Sequence, residues 1–470
     1  MQDIKQSLIE EINRRVQDKI LEPTNAELLI KLINNAESSD EAINIAALGT
    51  TYKRTGLHFD KRLEKMTDSI KYFKKNEKLS FRTDDAKPVN KLIIGDNYQA
   101  LQNLLIQYKG QIDVIYIDPP YGKDSMGEFA KTNYTNAITR DNLLSMLYPR
   151  LILAKQLLSD EGVIFCSIDD KNQAYVKCLF DEVFGEENFI DCLHWKKKKQ
   201  PSFLAKHTAK VMEYILVYAK EFDELEKLSI ENLSDETKKV VNLTNQLSER
   251  HFKKGVRVKC GTQGVIKKGI YKIKTMEIEY LDDVIYEKGL TVNEVNVRAL
   301  FSVSQEKIDD YIEKGLLFIT VNKGLRRDVS KEEQLNRKSI TDLLLDWGDN
   351  QDSEKELKEL FSNKVFEYSK PVKLIKNLIK SFYYKSSLIL DFFAGSGTTG
   401  HAVLDLNKSD GGNRTFILCQ INEKTEENPN GIAYDVTTKR LKRIMTGECY
   451  GGTKDFPWLK DNEPYGGNLD

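Results

Sequence analysis

The chain is poor in the residues that staple or ligate. Its six cysteines (Cys166, Cys178, Cys192, Cys260, Cys419 and Cys449) form no C-x-x-C pair, and its five histidines join them in no ligand-spaced cluster. They read as reduced thiols, and neither disulfides nor a structural zinc are expected. Long apolar runs are also missing, since none approaches the ~18 residues a membrane span needs. Met1 leads into Gln2-Asp3-Ile4-Lys5 rather than a basic start and an apolar stretch, so no signal peptide is read. A soluble, cytoplasmic protein with no membrane partner is the default expectation. Net charge is nearly absent, with 71 Lys and Arg against 72 Asp and Glu. Any surface for nucleic acid must therefore come from local segregation of charge. What remains is ordinary globular material: 470 residues, 40% hydrophobic and 30% charged, enough for a sizeable core in about three domain-sized units.

Residues 1–80 read as a helical N-terminal region. Ile4, Leu8, Ile12 and Val16 form one apolar stripe, and Pro23 ends it. Thr24-x-x-Glu27 and Ser38-x-x-Glu41 read as capping boxes opening two further helices. Residues 81–222 alternate short apolar strands (Lys91–Gly95, Ile112–Ile117, Gly162–Cys166, Tyr214–Tyr218) with helices, as in a parallel α/β sheet. That rhythm fades over 223–365 and resumes over 366–450 with a helix at Val372–Ile379 and strands at Leu388–Asp391 and Thr415–Cys419. An insert thus splits one sheet-based domain. Within it, residues 253–274 carry eight Lys and Arg and no acid, alternating with apolar positions in Val256-Arg257-Val258-Lys259 and Tyr271-Lys272-Ile273-Lys274. Such a face is either simply solvated or a nucleic-acid surface, and the same two readings apply to Trp195-Lys196-Lys197-Lys198-Lys199. Residues 451–470 read as a tail without terminal helix or cap.

Two motifs carry chemistry. Asp391-Phe392-Phe393-Ala394-Gly395-Ser396-Gly397-Thr398-Thr399-Gly400 follows a strand and opens a helix. Its glycines permit close backbone approach, and the helix start offers free N–H donors. Gly395-x-Gly397-x-x-Gly400 suits NAD, FAD or S-adenosylmethionine. Asp391, placed for a cofactor's ammonium, and the 70 residues left after Gly400, too few for a second dinucleotide-binding half, favour S-adenosylmethionine. The second motif, Asp118-Pro119-Pro120-Tyr121, ends a strand at the edge where open α/β sheets bind ligands. An adenine amino group is a poor nucleophile because its lone pair is delocalised into the ring. Asp118 and the Pro119 carbonyl could each accept one of its N–H bonds and pull the nitrogen toward tetrahedral geometry. The prolines fix the carbonyl's direction, and Tyr121 offers a plane for stacking an extruded base.

On these motifs the chain resembles a β-class DNA amino-methyltransferase, and within that class the modification subunit of a Type III restriction–modification system. There, as here, the catalytic motif precedes the cofactor loop, with the target-recognition region between. The resemblance runs from Leu92 to Ile444, with a further stretch at Gly49-Thr50-Thr51-Tyr52 to Leu57-His58-Phe59-Asp60. It implies a Rossmann-like S-adenosylmethionine-dependent fold with permuted motif order, an inserted target-recognition domain and a helical N-terminal region. It also implies transfer of methyl to adenine N6 of a flipped base in double-stranded DNA, with Asp118, Pro119, Pro120 and Tyr121 catalytic. Asp96-Asn97 would contact the cofactor's adenine, Lys370-Pro371 would pack beside the cofactor, and Gln420 and Glu423 would lie at its ribose. Asp391, Phe393, Gly395, Gly397, Thr398 and Thr399 would form its loop. Ser167-Ile168-Asp169-Asp170 resembles the motif beside the target pocket. Ser369 stands where many relatives have proline, and Met212 where many have histidine. A restriction subunit and a second copy of the chain are the implied partners, and the abrupt end at Asp470 leads to the expectation of a missing C-terminal portion. The alternatives left open are N4-cytosine methylation, methylation of RNA or protein glutamine, a nicotinamide-dependent oxidoreductase, and a non-catalytic specificity subunit.

Overall fold

The computed structural model describes residues 2–17, 21, 23–48, 71–120, 139–201, 206–232 and 237–470. The chain divides into two compact units, Met1–Arg62 and Leu63–Asp470. The first holds helices α1 (Gln2–Gln17), α2 (Pro23–Asn35) and α3 (Ser39–Leu48). Ile12 and Ile33 pack with Ala26, Ala36, Ala42 and Ala46 in a small core. Pro23 begins α2 rather than separating two helices, because a proline's missing N–H costs nothing in a first turn. Thr24 therefore lies inside the helix. Ser38 does cap α3, its Oγ accepting from the Glu41 amide at 3.1 Å. Residues 71–80, expected to be helical, are coil and turn. The Gly49–Asp60 stretch lies outside the described residues.

The second unit is built on a nine-stranded sheet. Along the chain come β1 (Val89–Ile94), α4 (Asn97–Tyr108), β2 (Ile112–Ile117), α5 (Thr139–Leu157), β3 (Leu158–Ile168), α6 (Gln173–Phe184), β4 (Phe189–Lys196) and β5 (Met212–Ala219). After the insert come β6 (Leu343–Leu344), α7 (Asn350–Phe361), α8 (Val372–Ser381), β7 (Leu388–Asp391), α9 (Thr398–Asp410), β8 (Thr415–Gln420), α10 (Thr438–Thr446) and β9 (Asn468–Leu469). The spatial order is β6-β4-β5-β3-β2-β7-β8-β1-β9. Only β5 runs against the others, pairing antiparallel with both β3 and β4. β7 and β8, from the second half of the chain, slot between β2 and β1 from the first. This brings Asp118 and Asp391 to the ends of adjacent strands.

Helix α8 shows why the sheet is covered on the side it packs. Val372, Leu374, Ile375, Leu378 and Ile379 recur at helical spacing and are all buried. They join a core that includes Val114, Phe165, Ile215, Ile389, Phe416 and Leu441. Burying each such side chain contributes about 1.5–3 kcal/mol. The tail belongs to the same core through Phe456, Trp458 and Leu469, and β9 extends the sheet beside β1. That packing was not visible in the polar, glycine-rich terminal sequence.

The insert has its own core, with Phe252, Val258, Tyr280, Val297, Ile308 and Leu317 among its members. They pack between a seven-stranded and a four-stranded sheet. Leu228, Leu344 and Leu360, though within 223–365, join the core of the nine-stranded sheet instead. In the basic run, Val256 and Val258 point inward while Arg257 pairs with Asp328. Gly269–Ile273 forms a hairpin with Met276–Tyr280, in which Lys272 pairs with Glu277 at 3.1 Å. Lys267 pairs with Asp283 at 2.9 Å and Lys253 with Asp309 at 3.9 Å. Half of the run's cations thus meet carboxylates, all four of which come from beyond the run. Among the described residues, Lys254, Lys259, Lys268 and Lys274 have no carboxylate within 4.0 Å.

Candidate active site at the strand ends

β2 is buried along nearly its whole length and runs directly into Asp118-Pro119-Pro120. Asp118 is half-buried and Pro119 buried, while Tyr121 lies outside the described residues. Lys370 Nζ donates to both Asp118 oxygens, at 2.8 and 2.7 Å. Lys370 was expected beside the cofactor; its ammonium is on the Asp118 carboxylate. Glu213 of β5 lies 3.6 Å from the same ammonium and accepts from Lys197 at 2.7 Å. The four side chains form an alternating chain of charge. Burial works to raise the Glu213 carboxyl, but Lys370 and Lys197 together hold it below its ordinary value. Trp195 closes one side, its face 5.9 Å from Lys370 Nζ and its Nε1 donating to the Gly348 carbonyl at 2.7 Å.

Asp391 has different company. It is buried, and its carboxylate accepts from the Phe393 amide at 2.9 Å and the Thr399 hydroxyl at 2.5 Å. Burial pushes its carboxyl up to about 7, with nearby Asp118 adding to the rise. The loop after it is tightly built. Gly395 and Gly397 have φ of +52° and +82°, where a side chain is strained. A Cβ on Gly400 would meet the Leu441 side chain at 2.8 Å, so that glycine serves helix packing. Thr398 Oγ1 is within 3.1 Å of the Ser369 and Ser396 hydroxyls, and Arg440 donates to it at 3.0 Å. The side chain of Thr398 therefore braces the loop from beneath. Phe393 is half-buried against Phe392.

The remaining expected residues line the same edge. Asp96 caps α4, accepting from the Tyr98 amide at 3.0 Å, and Asn97 donates to the Phe392 carbonyl at 2.8 Å. Gln420 accepts from the Gly395 amide at 2.6 Å, so its side chain supports the loop. Glu423 is half-buried beyond β8, and Pro371 starts α8. Asp170, of the motif after β3, pairs with Lys210 and accepts from Tyr214 at 3.1 Å.

Two positions escaped the reading of the sequence. Arg150 of α5, buried, donates to Asn97 at 2.5 Å and to Asp96 at 3.3 Å, tying α5 to the end of β1. The one charged residue within the stretch Leu143–Leu153 was the available signal. Arg440 is fully buried beneath the glycine loop, facing Ser396, Thr398, His401 and Glu356. Burial lifts the Glu356 carboxyl to about 7 even against Arg440, and pushes His401 well below its ordinary value. Among the described residues, no group of His, Cys, Asp and Glu is arranged to hold a metal ion, and no helix is long and apolar enough to cross a membrane.

The sheet order and the two strand-end motifs define an α/β methyltransferase fold. A family model described as DNA methylase matches residues 112–430, and the chain belongs to that family. A second model, of an uncharacterised conserved protein, matches residues 5–114. Among curated relatives, the chain is 34% identical to the Type III restriction-modification enzyme StyLTI Mod subunit of Salmonella typhimurium, over 72% of this chain and 53% of the relative. It is 28% identical to the EcoPI Mod subunit of Escherichia phage P1, over 92% of this chain and 71% of that one. It is 26% identical to the EcoP15I Mod subunit of Escherichia coli, over 95% and 74%. The chain thus spans from about half to three quarters of the length of these relatives.

Proposed function

We propose that this chain is the methylating part of a Type III modification subunit, transferring a methyl group from S-adenosylmethionine to N6 of an adenine flipped out of double-stranded DNA. The observation that carries the reading is the pair of strand-end aspartates, Asp118 charge-paired and Asp391 buried among neutral donors, on adjacent strands of one sheet edge.

The residues fit the cofactor. Asp391 holds two donors, yet a carboxylate has about four lone-pair sites, and its raised ionisation marks a place where an added ammonium is favourable. Asp96 and Asn97 stand after β1 for the cofactor's adenine, and Glu423 stands beyond β8 for its ribose hydroxyls. Bound there, S-adenosylmethionine supplies an electrophilic methyl on a sulfonium. Asp118 and the Pro119 carbonyl accept the two N–H bonds of the target amino group and localise its lone pair. The amino nitrogen held by Asp118 and Pro119 would take that methyl, the S–C electron pair staying on sulfur. One amino proton then leaves to Asp118 and on to solvent. Positioning and electrostatics carry most of the rate. Lys254, Lys259, Lys268 and Lys274 of the insert offer ammonium groups for DNA phosphates.

The relatives' names support a restriction subunit as partner, and we infer a cytoplasmic setting and a homodimer as its working state. The test is tritiated S-adenosylmethionine with unmodified DNA, comparing the parent chain with Asp118→Ala. Label in N6-methyladenine from the parent only is expected. Label in N4-methylcytosine, or equal transfer by both proteins, would overturn the reading.

A further inference from the structure

Lys370 makes a contact that cofactor binding does not account for. Its ammonium lies nearly equidistant from the two oxygens of Asp118, at 2.8 and 2.7 Å. Such an ammonium sits on the bisector of the carboxylate. It holds the group's axis toward Lys370 and leaves the outer lone pairs of the oxygens for a further donor. Only 5% of the Lys370 side chain and 11% of the Glu213 side chain are exposed. A buried ammonium is costly unless paired on all sides. Glu213 supplies the second pairing from behind, and Lys197 balances Glu213 in turn. Tyr116, Cys166 and Asp391 also feel the charge of Asp118. Removing Lys370 would take an ammonium from Asp118 and leave the neighbouring Asp391 carboxylate in place. Protonated, Asp118 would present an O–H to the target amino group rather than an acceptor.

We propose that Lys370 is a positioning residue for methyl transfer. It orients the Asp118 carboxylate toward the target amino group and keeps it anionic, with Glu213 anchoring Lys370 from behind. This rests on the reading of Asp118 as acceptor of the target amino group.

The test is single-turnover methylation of unmodified DNA by the full chain with saturating S-adenosylmethionine, followed across about pH 5 to 9. The parent is compared with Lys370→Met, Lys370→Arg, Glu213→Gln and Asp118→Ala, and cofactor affinity is measured for each by calorimetry. Lys370→Met is expected to lower the rate by about 10²-fold, the scale of losing one preorganised charged group. Its acid limb should move up by about one to three pH units, as expected when an adjacent cation is removed. Cofactor affinity should stay within about threefold, a change below 1 kcal/mol. Lys370→Arg, keeping the charge, should leave the acid limb in place and recover part of the rate. Glu213→Gln should give a smaller loss of rate than Lys370→Met. A rate for Lys370→Met close to the parent's with an unmoved acid limb would overturn the proposal. So would a rate loss matched by an equal loss of cofactor affinity, or an acid limb that moves equally in Lys370→Arg. An active Asp118→Ala would instead sink the reading of Asp118 itself, which separates the two failures.

Discussion

Asp118 and Asp391 end adjacent parallel strands of the same sheet, and they are the same residue type in different electrostatic surroundings. Asp118 is half-buried and meets a lysine ammonium at both oxygens. Asp391 is buried with an amide and a hydroxyl as its donors, and its carboxyl rises to about 7. Hydrogen bonds from neutral groups only partly offset the desolvation of a carboxylate, whereas a paired cation offsets it far more. The two proposed tasks call for that difference: Asp118 to accept a neutral amino group, and Asp391 to receive a cation.

The sharpest break of that comparison is to make both residues asparagine. Asp118→Asn should lower single-turnover transfer by about 10²–10³-fold, the usual cost of losing a preorganised electrostatic group. Asp391→Asn should mainly weaken cofactor binding, with transfer at saturating cofactor reduced far less. Equal losses in rate would erase the distinction. Next in size is the support beneath the Asp391 loop. Arg440→Met should destabilise the protein by about 3–5 kcal/mol, because it leaves Glu356 and the loop hydroxyls without their buried partner. Urea unfolding measures it, and a change under about 1 kcal/mol would mean the network is not holding the loop.

A smaller effect tests the protonation of Asp391 directly. Its folded value, about 7, lies above the ordinary carboxylate value of 3.8, so the folded state binds its proton more tightly than the unfolded one. The stability this contributes is whole below about pH 4 and is lost as pH rises through about 7. Glu356, also lifted to about 7, acts in the same direction, while neutral buried His401 costs stability as pH falls below 6.5. The difference between parent and Asp391→Asn isolates the one group. It should grow over the window from pH 4 to 7 by about 2–4 kcal/mol, and a flat difference would contradict the assignment. The smallest effect is a proton count. At pH 7 an ammonium arriving beside Asp391 should release up to about half a proton, read by calorimetry in buffers of different ionisation enthalpy. No release from the parent, or the same release from Asp391→Asn, would place the cation elsewhere.

Much of this fold was legible one element at a time. Ile112–Ile117 is an apolar run interrupted only by Asp113, and the described strand has those bounds. Val372–Ile379 repeats at helical spacing, and α8 covers it. The order of the two motifs pointed to the methyltransferase fold and to DNA methylases. Short polar signals were less legible. Thr24 looked like a cap and is not one, because a proline can itself open a helix. Residues 71–80 looked helical and are not. The tail looked idle, yet Trp458 and Leu469 sit in the core. Two aromatic or aliphatic residues in a polar stretch have no period to reveal them.

By itself, then, the sequence determined which elements exist and which motifs end them, since helix and strand periods and proline or glycine turns are set by near neighbours. Partners were decided only by the tertiary structure. Lys370 and Asp118 are 252 positions apart, and whether that lysine serves the cofactor or the carboxylate depends on β7 and β8 slotting in beside β2. The protonation of Asp391 is likewise a property of burial, which no local pattern encodes. Charge in a protein is set by what desolvates a group and what stands opposite it, and both are decided by packing across the whole chain.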